Sequence, residues 1–352
     1  METSDAGSWT GGAAWRDWRA HFQDAAFAAI HFAHNVSVTV PHLLAPPYRH
    51  LVHRLSDPEQ FSIAVSGATL AADFLSPQKV PARIEQFQSP DWTLDFHDTE
   101  VRARIFCPIP PGWLSLGFLR APGTSSWYGV SDAGGLLACT MPGEAIDGCI
   151  APGFSSMAVN LPVSLWERCR TLAGVERASF GSAVALPLPA PVFAQIERRL
   201  RATRHALRTA PYLGAFAARE AADLVTHVAV TAWELSSRFA PPRDSLRNRA
   251  RLARRAEAWM RDHLAEPVQI PEVCLALHVS RRELEYAFRA VFDQSPRDFL
   301  QALRLNAIRR TLRRAEAPLT QVAFDHGVTH LGRFAAHYRA LFGERPSETP
   351  RR

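Results

Sequence analysis

Val279-Ser280-Arg281-Arg282-Glu283-Leu284 and Val328-Thr329-His330-Leu331-Gly332-Arg333-Phe334 are two versions of one phrase, and their reading decides how the last third of this 352-residue chain folds. Ile270, Val273, Cys274, His278, Val279 and Ser280 stand 49 residues before Leu319, Val322, Ala323, Gly327, Val328 and Thr329. One inserted residue later, Leu284, Phe288, Phe292 and Pro296 stand 50 residues before Phe334, Tyr338, Phe342 and Pro346. Matched positions of like character in a fixed register mean one supersecondary unit built twice. Each copy reads as a short helix, a turn, a hydroxyl residue and a second helix.

In the first copy Val273 and Leu277 face the core and His278 occupies the turn. Ser280 is a helix N-cap, and Glu283 three residues on completes a capping box. The helix that follows buries Leu284, Phe288 and Phe292. It leaves Arg281, Arg282, Glu285, Tyr286 and Arg289 facing outward. In the second copy Gly327 supplies a turn residue that tolerates positive φ. Thr329 is its expected cap, and Phe334, Tyr338 and Phe342 form the buried stripe. His330, Gly332, Arg333, Ala336, His337 and Arg339 are left outside.

A helix fits the major groove of DNA, where its first turns reach base edges and Arg reads guanine bidentately. Two such helices held ~34 Å apart enter successive grooves on one face of a duplex. Residues 296–312 read as a connecting helix, with Phe299, Leu300, Leu303, Leu305 and Ile308 apolar, which fixes that separation. The helix starts after Ser295, beside Arg297, and after Ser347 offer backbone N–H groups to phosphate. Any one exposed arginine is ordinarily just solvated. The duplication, the caps and the charge together carry the reading.

The charge is unevenly placed. From residue 243 onward 21 arginines stand against 13 acidic residues, a balance of +8, whereas the preceding residues sum to −2. The excess is the footprint of a nucleic-acid module. A hydrophobic fraction of 47% with 21% charged residues describes a globular chain of two or three domains. No stretch approaches the ~20 apolar residues that span a bilayer, and the first fifteen residues do not read as a secretory signal. The five cysteines are scattered with no CxxC pair, which favours a reducing cytoplasm.

Residues 36–185 hold short apolar runs bounded by Pro and Gly, such as Phe61-Ser62-Ile63-Ala64-Val65, Val101-Arg102-Ala103-Arg104-Ile105-Phe106 and Trp113-Leu114-Ser115-Leu116-Gly117-Phe118. These read as strands of an antiparallel barrel or sandwich, with a capping helix over residues 15–32. Helical spacing follows over residues 192–208, with Phe193, Ile196, Leu200 and Leu207, and again over 215–239. Ala240-Pro241-Pro242-Arg243-Asp244-Ser245 reads as a stiff linker. The expected fold is therefore α+β and multidomain. It has a β-barrel domain over residues 1–187, a helical linker or dimerisation region over 188–240, and an all-α double helix-turn-helix domain over 247–350.

Enzymatic readings find little support. His31, His34, His42, His50 and His53 spread over a helix and a Pro-rich loop without metal-ligand spacing. Ser62, Ser66 and Ser131 sit in no G-x-S-x-G turn, and no glycine-rich phosphate loop opens a helix. A DNA-repair alkyl acceptor would need a clustered four-cysteine zinc site. Trp113, Trp127 and Trp166 are better placed in a core than around a ligand. No cofactor or metal is implied.

The chain resembles the AraC/XylS family of transcription regulators. The likeness rests on the two phrases above, on Ser295-Pro296 and Ala302-Leu303-Arg304-Leu305, and on Tyr338-Arg339-Ala340-Leu341-Phe342-Gly343-Glu344-Arg345-Pro346-Ser347. The His-Leu-Gly-Arg-Phe wording resembles the XylS-like and ethanolamine-operon-regulator branches. Ser126-Trp127-Tyr128-Gly129, Pro152-Gly153-Phe154 and Leu165-Trp166-Glu167-Arg168-Cys169 resemble, more loosely, their cupin-like sensor domain. The resemblance implies a promoter activator, often a homodimer, that binds a DNA operator, contacts RNA polymerase and answers a small-molecule effector. It places Arg282, Glu285 and Tyr286 at base-facing positions of the first recognition helix, and His330, Gly332, Arg333 and Ala336 on the corresponding face of the second. His278, Asp293 and Val328 depart from the family's usual turn glycine, post-helix glycine and aromatic. The alternatives are an effector-independent regulator and a non-specific architectural DNA binder.

Overall fold

The short apolar runs of the first half become eleven antiparallel strands among the residues described by this computed structural model, which are 48–63, 68–77, 79–120, 125–130, 135–172, 184–209, 223, 244–314 and 317–350. The strands are β1 (Arg49–Leu55), β2 (Ala71–Phe74), β3 (Ala82–Gln88), β4 (Thr93–Thr99), β5 (Ala103–Pro108) and β6 (Trp113–Arg120). They continue with β7 (Ser126–Trp127), β8 (Leu136–Thr140), β9 (Ala145–Ile150), β10 (Phe154–Pro162) and β11 (Val184–Pro187). Seven strands form one sheet in the order β1-β3-β4-β10-β6-β8-β11, and four form a second in the order β2-β5-β9-β7. The β-rich half is thus present, as two separate sheets. The closed cupin-like barrel expected from the sequence is not found among the described residues.

The expected strand at Phe61-Ser62-Ile63 is a 3-10 helix, Pro58–Ile63. Asp57 Oδ1 accepts the Glu59 N–H at 3.0 Å and Gln60 Oε1 accepts the Ser56 N–H at 2.8 Å. These local side-chain bonds, with Pro58 pre-set for a first helical turn, outcompete a strand ladder. Phe61 is buried from the turn all the same and meets Phe74 edge-on at 5.7 Å.

Leu165-Trp166-Glu167-Arg168-Cys169 lies on helix α1 (Val163–Leu172), with Trp166 fully buried. Helix α2 (Ala190–Thr209) buries Phe193, Ile196, Leu200, Thr203 and Leu207 against the outer face of the large sheet, the stripe read from spacing. Arg204 and Arg208 of α2 reach the buried Glu85 of β3. The helix expected over 15–32, that over 215–239 apart from Asp223, and residues 240–243 of the linker lie outside the described residues. Asp244 and Ser245, expected in the linker, already belong to helix α3 (Asp244–Asp262).

Both copies of the repeated helix pair are present. Helices α4 (Ile270–Leu277) and α5 (Arg281–Phe292) form the first copy, and α7 (Leu319–Asp325) and α8 (Leu331–Phe342) the second. Helix α6 (Pro296–Arg314) joins them, and Phe299, Leu300, Leu303, Leu305 and Ile308 are all buried. Phe288, Phe292 and Phe299 pack with centroids 4.2 to 5.3 Å apart. Phe334 and Tyr338 are buried in the second copy, while Phe342 is partly exposed. Among the described residues no helix is long and apolar enough to cross a membrane.

Candidate functional site

Helix α5 begins with the capping box that the sequence specifies. The Ser280 Oγ accepts the Glu283 N–H at 3.2 Å, and Glu283 Oε2 accepts the Ser280 N–H at 2.8 Å. Hydrogen bonds from the Ser280 hydroxyl and backbone N–H hold the Glu283 carboxyl below its ordinary value. With its start fixed, α5 presents Arg281, Arg282, Tyr286 and Arg289 as exposed side chains, and Glu285 half-buried. Arg282 donates to the Tyr286 hydroxyl at 3.2 Å and lies over its ring at 5.5 Å. Arg249 of α3 approaches the same ring at 5.9 Å. Arg281 and Glu285 are 3.9 Å apart one turn on, a loose and exposed pair.

The second copy is built differently. Helix α8 starts at Leu331, with His330 as the flanking residue and no side-chain cap bond. Thr329, read as the cap, lies one residue too early to reach the orphan N–H groups of the first turn. Thr329, His330, Gly332, Arg333, Ala336, His337 and Arg339 are all exposed. A methyl group added at Gly332 would meet nothing within 4 Å, so packing does not demand glycine there. Gly327 is demanded. Its φ is +70°, and a Cβ there would stand 2.2 Å from the Glu266 carbonyl oxygen. His278, its counterpart, also lies in the left-handed region at φ +54°, but its side chain is exposed.

Ser295, expected at phosphate, is engaged as a cap. Its hydroxyl donates to Asp298 at 2.7 Å and accepts the Asp298 N–H at 3.1 Å. A carboxylate therefore already occupies the start of α6, beside exposed Arg297. Among the described residues after Arg345, the 3-10 turn Pro346–Glu348 is the one helical element, too short for the expected phosphate-binding helix at Ser347.

The side chains that join the β-rich half to the helix-turn-helix half went unread in the sequence. Asn306 on α6, 1% exposed, accepts the Phe74 N–H at 3.0 Å and donates to the Phe74 carbonyl at 2.9 Å. Asp73 pairs with Arg261 of α3 and Arg310 of α6, both at 2.7 Å. Burial pushes its carboxyl up, and the two guanidinium groups outweigh that and hold it low. Arg104, 5% exposed, meets Glu257 of α3 at 2.9 Å and Asp147 at 2.8 Å. Asp57 meets Arg309 at 3.0 Å and also pairs with Arg313. Ser126 donates to the Val291 carbonyl at 2.7 Å and Gln294 to that of Leu75 at 2.6 Å. A polar Asn306 set in the apolar stripe of Phe299, Leu303 and Leu305 was the one available signal.

The two sheets line a partly open cavity of about 740 Å³, a figure that counts all non-atom space within it and the solvent at its mouth. The small sheet separates it from the helices. Ile105, Ile146 and Ile150 line the cavity, while Asp73, Arg104, Asp147 and Cys149, alternating with inward residues along β2, β5 and β9, face the helices. Trp127, read as core, lines the cavity, and Gly148 allows its ring to lie within 3 Å of where a Cβ would be.

A helix-turn-helix domain family matches residues 273–352. The XylDLEGF operon transcriptional activator of Pseudomonas putida is 31% identical over 100 residues, 28% of this chain and 31% of that protein. The HTH-type transcriptional regulator CdhR of Pseudomonas aeruginosa is 34% identical over 89 residues, 25% of this chain and 26% of its own. A solved AraC-type regulator from Chromobacterium violaceum is 26% identical, with a TM-score of 0.27, covering 28% of this chain and 88% of that one. The match thus spans about three-tenths of the length of the Pseudomonas putida relative.

Proposed function

We propose that this chain, whose residues 273–352 match a helix-turn-helix domain family, is a sequence-specific transcription regulator of the AraC/XylS type whose DNA affinity is set by a small molecule held between its two β-sheets. The observation that carries the reading is the four-stranded sheet shared by both halves. Its inner face lines the cavity and its outer face carries the ion pairs to α3 and α6. A ligand that shifts β2, β5 or β9 changes the seat of the helix that spaces the two recognition helices. Coupling of this kind needs a differential affinity for two arrangements, and interfaces of buried ion pairs are bistable in the required way.

Arg281, Arg282, Glu285, Tyr286 and Arg289 take the base-reading role in the first groove. His330, Gly332, Arg333, Ala336, His337 and Arg339 face the second, where short side chains favour phosphates and groove shape over base edges. We extend the proposal to a homodimer that activates through RNA polymerase, supported by the relatives named as activators. The test is capture of genomic fragments by the full-length protein, followed by competition with random duplex. A preference of at least about a thousandfold for the captured site is expected. A flat affinity across unrelated duplexes overturns the reading in favour of an architectural binder.

A further inference from the structure

The cavity between the sheets has a polar end, and no arginine or lysine lines it among the described residues. Asp95, on β4 and 1% exposed, accepts from two amides among the described residues, Gln86 at 3.3 Å and Asn160 at 2.7 Å. Asn160 also donates to the Thr93 hydroxyl at 2.7 Å, and its Oδ1 is buried without a donor. Across the cavity, the indole N–H of Trp127, 7% exposed, is buried without an acceptor. Such orphan polar atoms are rare in folded proteins and ask for a partner. Ser115, Thr140 and Ser156 add hydroxyls from β6, β8 and β10, while the remaining wall is mostly aliphatic and aromatic.

The charged groups nearby do not answer Asp95. His97 and Asp98 are the other titratable residues on the cavity wall, and His97 Nδ1 bonds the Ser156 hydroxyl at 2.9 Å. Of the flanking strands, β10 offers Ala158 opposite Asp95 and β3 offers Gln86, both neutral. Glu85, with its arginines Arg204 and Arg208 on α2, lies at the neighbouring position of β3, whose side chain points to the other face. Arg104 is held by Glu257 and Asp147. Uncompensated burial raises the Asp95 carboxyl to about 7.

We propose, on the footing of the effector reading above, that this cavity takes a small, largely apolar molecule carrying one primary amine, with the ammonium between Asp95 and Asn160 Oδ1 and an acceptor oxygen toward the Trp127 indole N–H. The ammonium supplies the missing counter-charge and the missing donor together. The apolar walls take the remainder of the ligand.

Three probes that share a phenol and differ in their other end test this: tyramine, 4-hydroxyphenylacetate and 4-ethylphenol. Calorimetry on the full-length protein at pH 7.5 is expected to show tyramine at least tenfold tighter than either of the others. Asp95→Asn, which keeps the shape and removes the charge, is expected to lower tyramine affinity at least tenfold. The unaltered protein gives an answer independent of how that variant folds. An ammonium needs the ionised carboxylate, so tyramine affinity falls as pH drops below about 7, approaching tenfold per pH unit, and binding there releases a proton. Absent tyramine binding, equal or tighter binding of the acid or the alkylphenol, or affinity that falls above pH 7 instead, overturns the amine assignment. Operator affinity measured alongside separates the two ideas. If 4-ethylphenol or the acid shifts it and tyramine does not, the regulator reading stands and the amine falls. If selective DNA binding is absent, the parent reading falls.

Discussion

The two helix-turn-helix copies share a plan and solve it with different chemistry. In the first, Ser280 and Glu283 cap α5 reciprocally, and His278 tolerates a left-handed turn because its side chain is free in solvent. In the second, no side chain caps α8, and Gly327 is obligatory because its turn is pressed against the Glu266 carbonyl. The first copy thus invests in defining where its second helix begins. The second invests in close packing of its turn. The outward faces follow suit, with an arginine braced by Tyr286 in one and Gly332 and Ala336 in the other. Duplication preserves the scaffold and lets each copy settle its own division between reading and holding.

The strongest way to break this contrast is at the turns. Gly327→Ala forces a β-carbon against backbone at positive φ and is expected to cost about 3 kcal/mol, whereas His278→Ala costs less than about 1 kcal/mol. Chemical denaturation followed by circular dichroism measures both, and equal losses would remove the distinction. At the reading faces, Arg282→Ala is expected to weaken operator binding by ~2 kcal/mol and relax preference at one base pair. Arg333→Ala should weaken specific and random duplexes alike, by about 1 kcal/mol or less. Fluorescence anisotropy on both duplexes decides it, and a sequence-selective loss from Arg333 would make the copies equal readers. The smallest effect lies at the caps, where Ser280→Ala costs about 1 kcal/mol and Thr329→Ala close to nothing. Thermal melts showing a matching loss at Thr329 would restore it as a cap.

How much of this was legible depended on how far apart the cooperating residues lie. The caps, turns and buried stripes of the repeat are local patterns, so His278, Ser280, Glu283, Phe288 and Phe334 declared their roles in the sequence. The start of α8 misled because Thr329 matches Ser280 in register while the single inserted residue moves the helix start to Leu331. Phe61 misled because an apolar run does not reveal that Asp57 and Gln60 bond the backbone into a turn. The cavity's polar end was invisible, since Asp95 and Asn160 lie 65 residues apart on neighbouring strands. The joint was more hidden still, with Asp73 and Arg261 separated by 188 residues and Phe74 and Asn306 by 232.

The buried bracket around Asp73 carries a consequence for handling the protein in salt. Contacts to phosphate weaken steeply as ionic strength rises, because released counterions lose their entropic advantage. The Asp73 carboxylate, 4% exposed between Arg261 and Arg310, is screened far less. On the proposed function, electrolyte should therefore release bound DNA while the two halves remain joined. Arg282 and Arg333 stand in water and feel the full screening, whereas Arg261 and Arg310, though about a third exposed, grip a carboxylate that water scarcely reaches and lose far less.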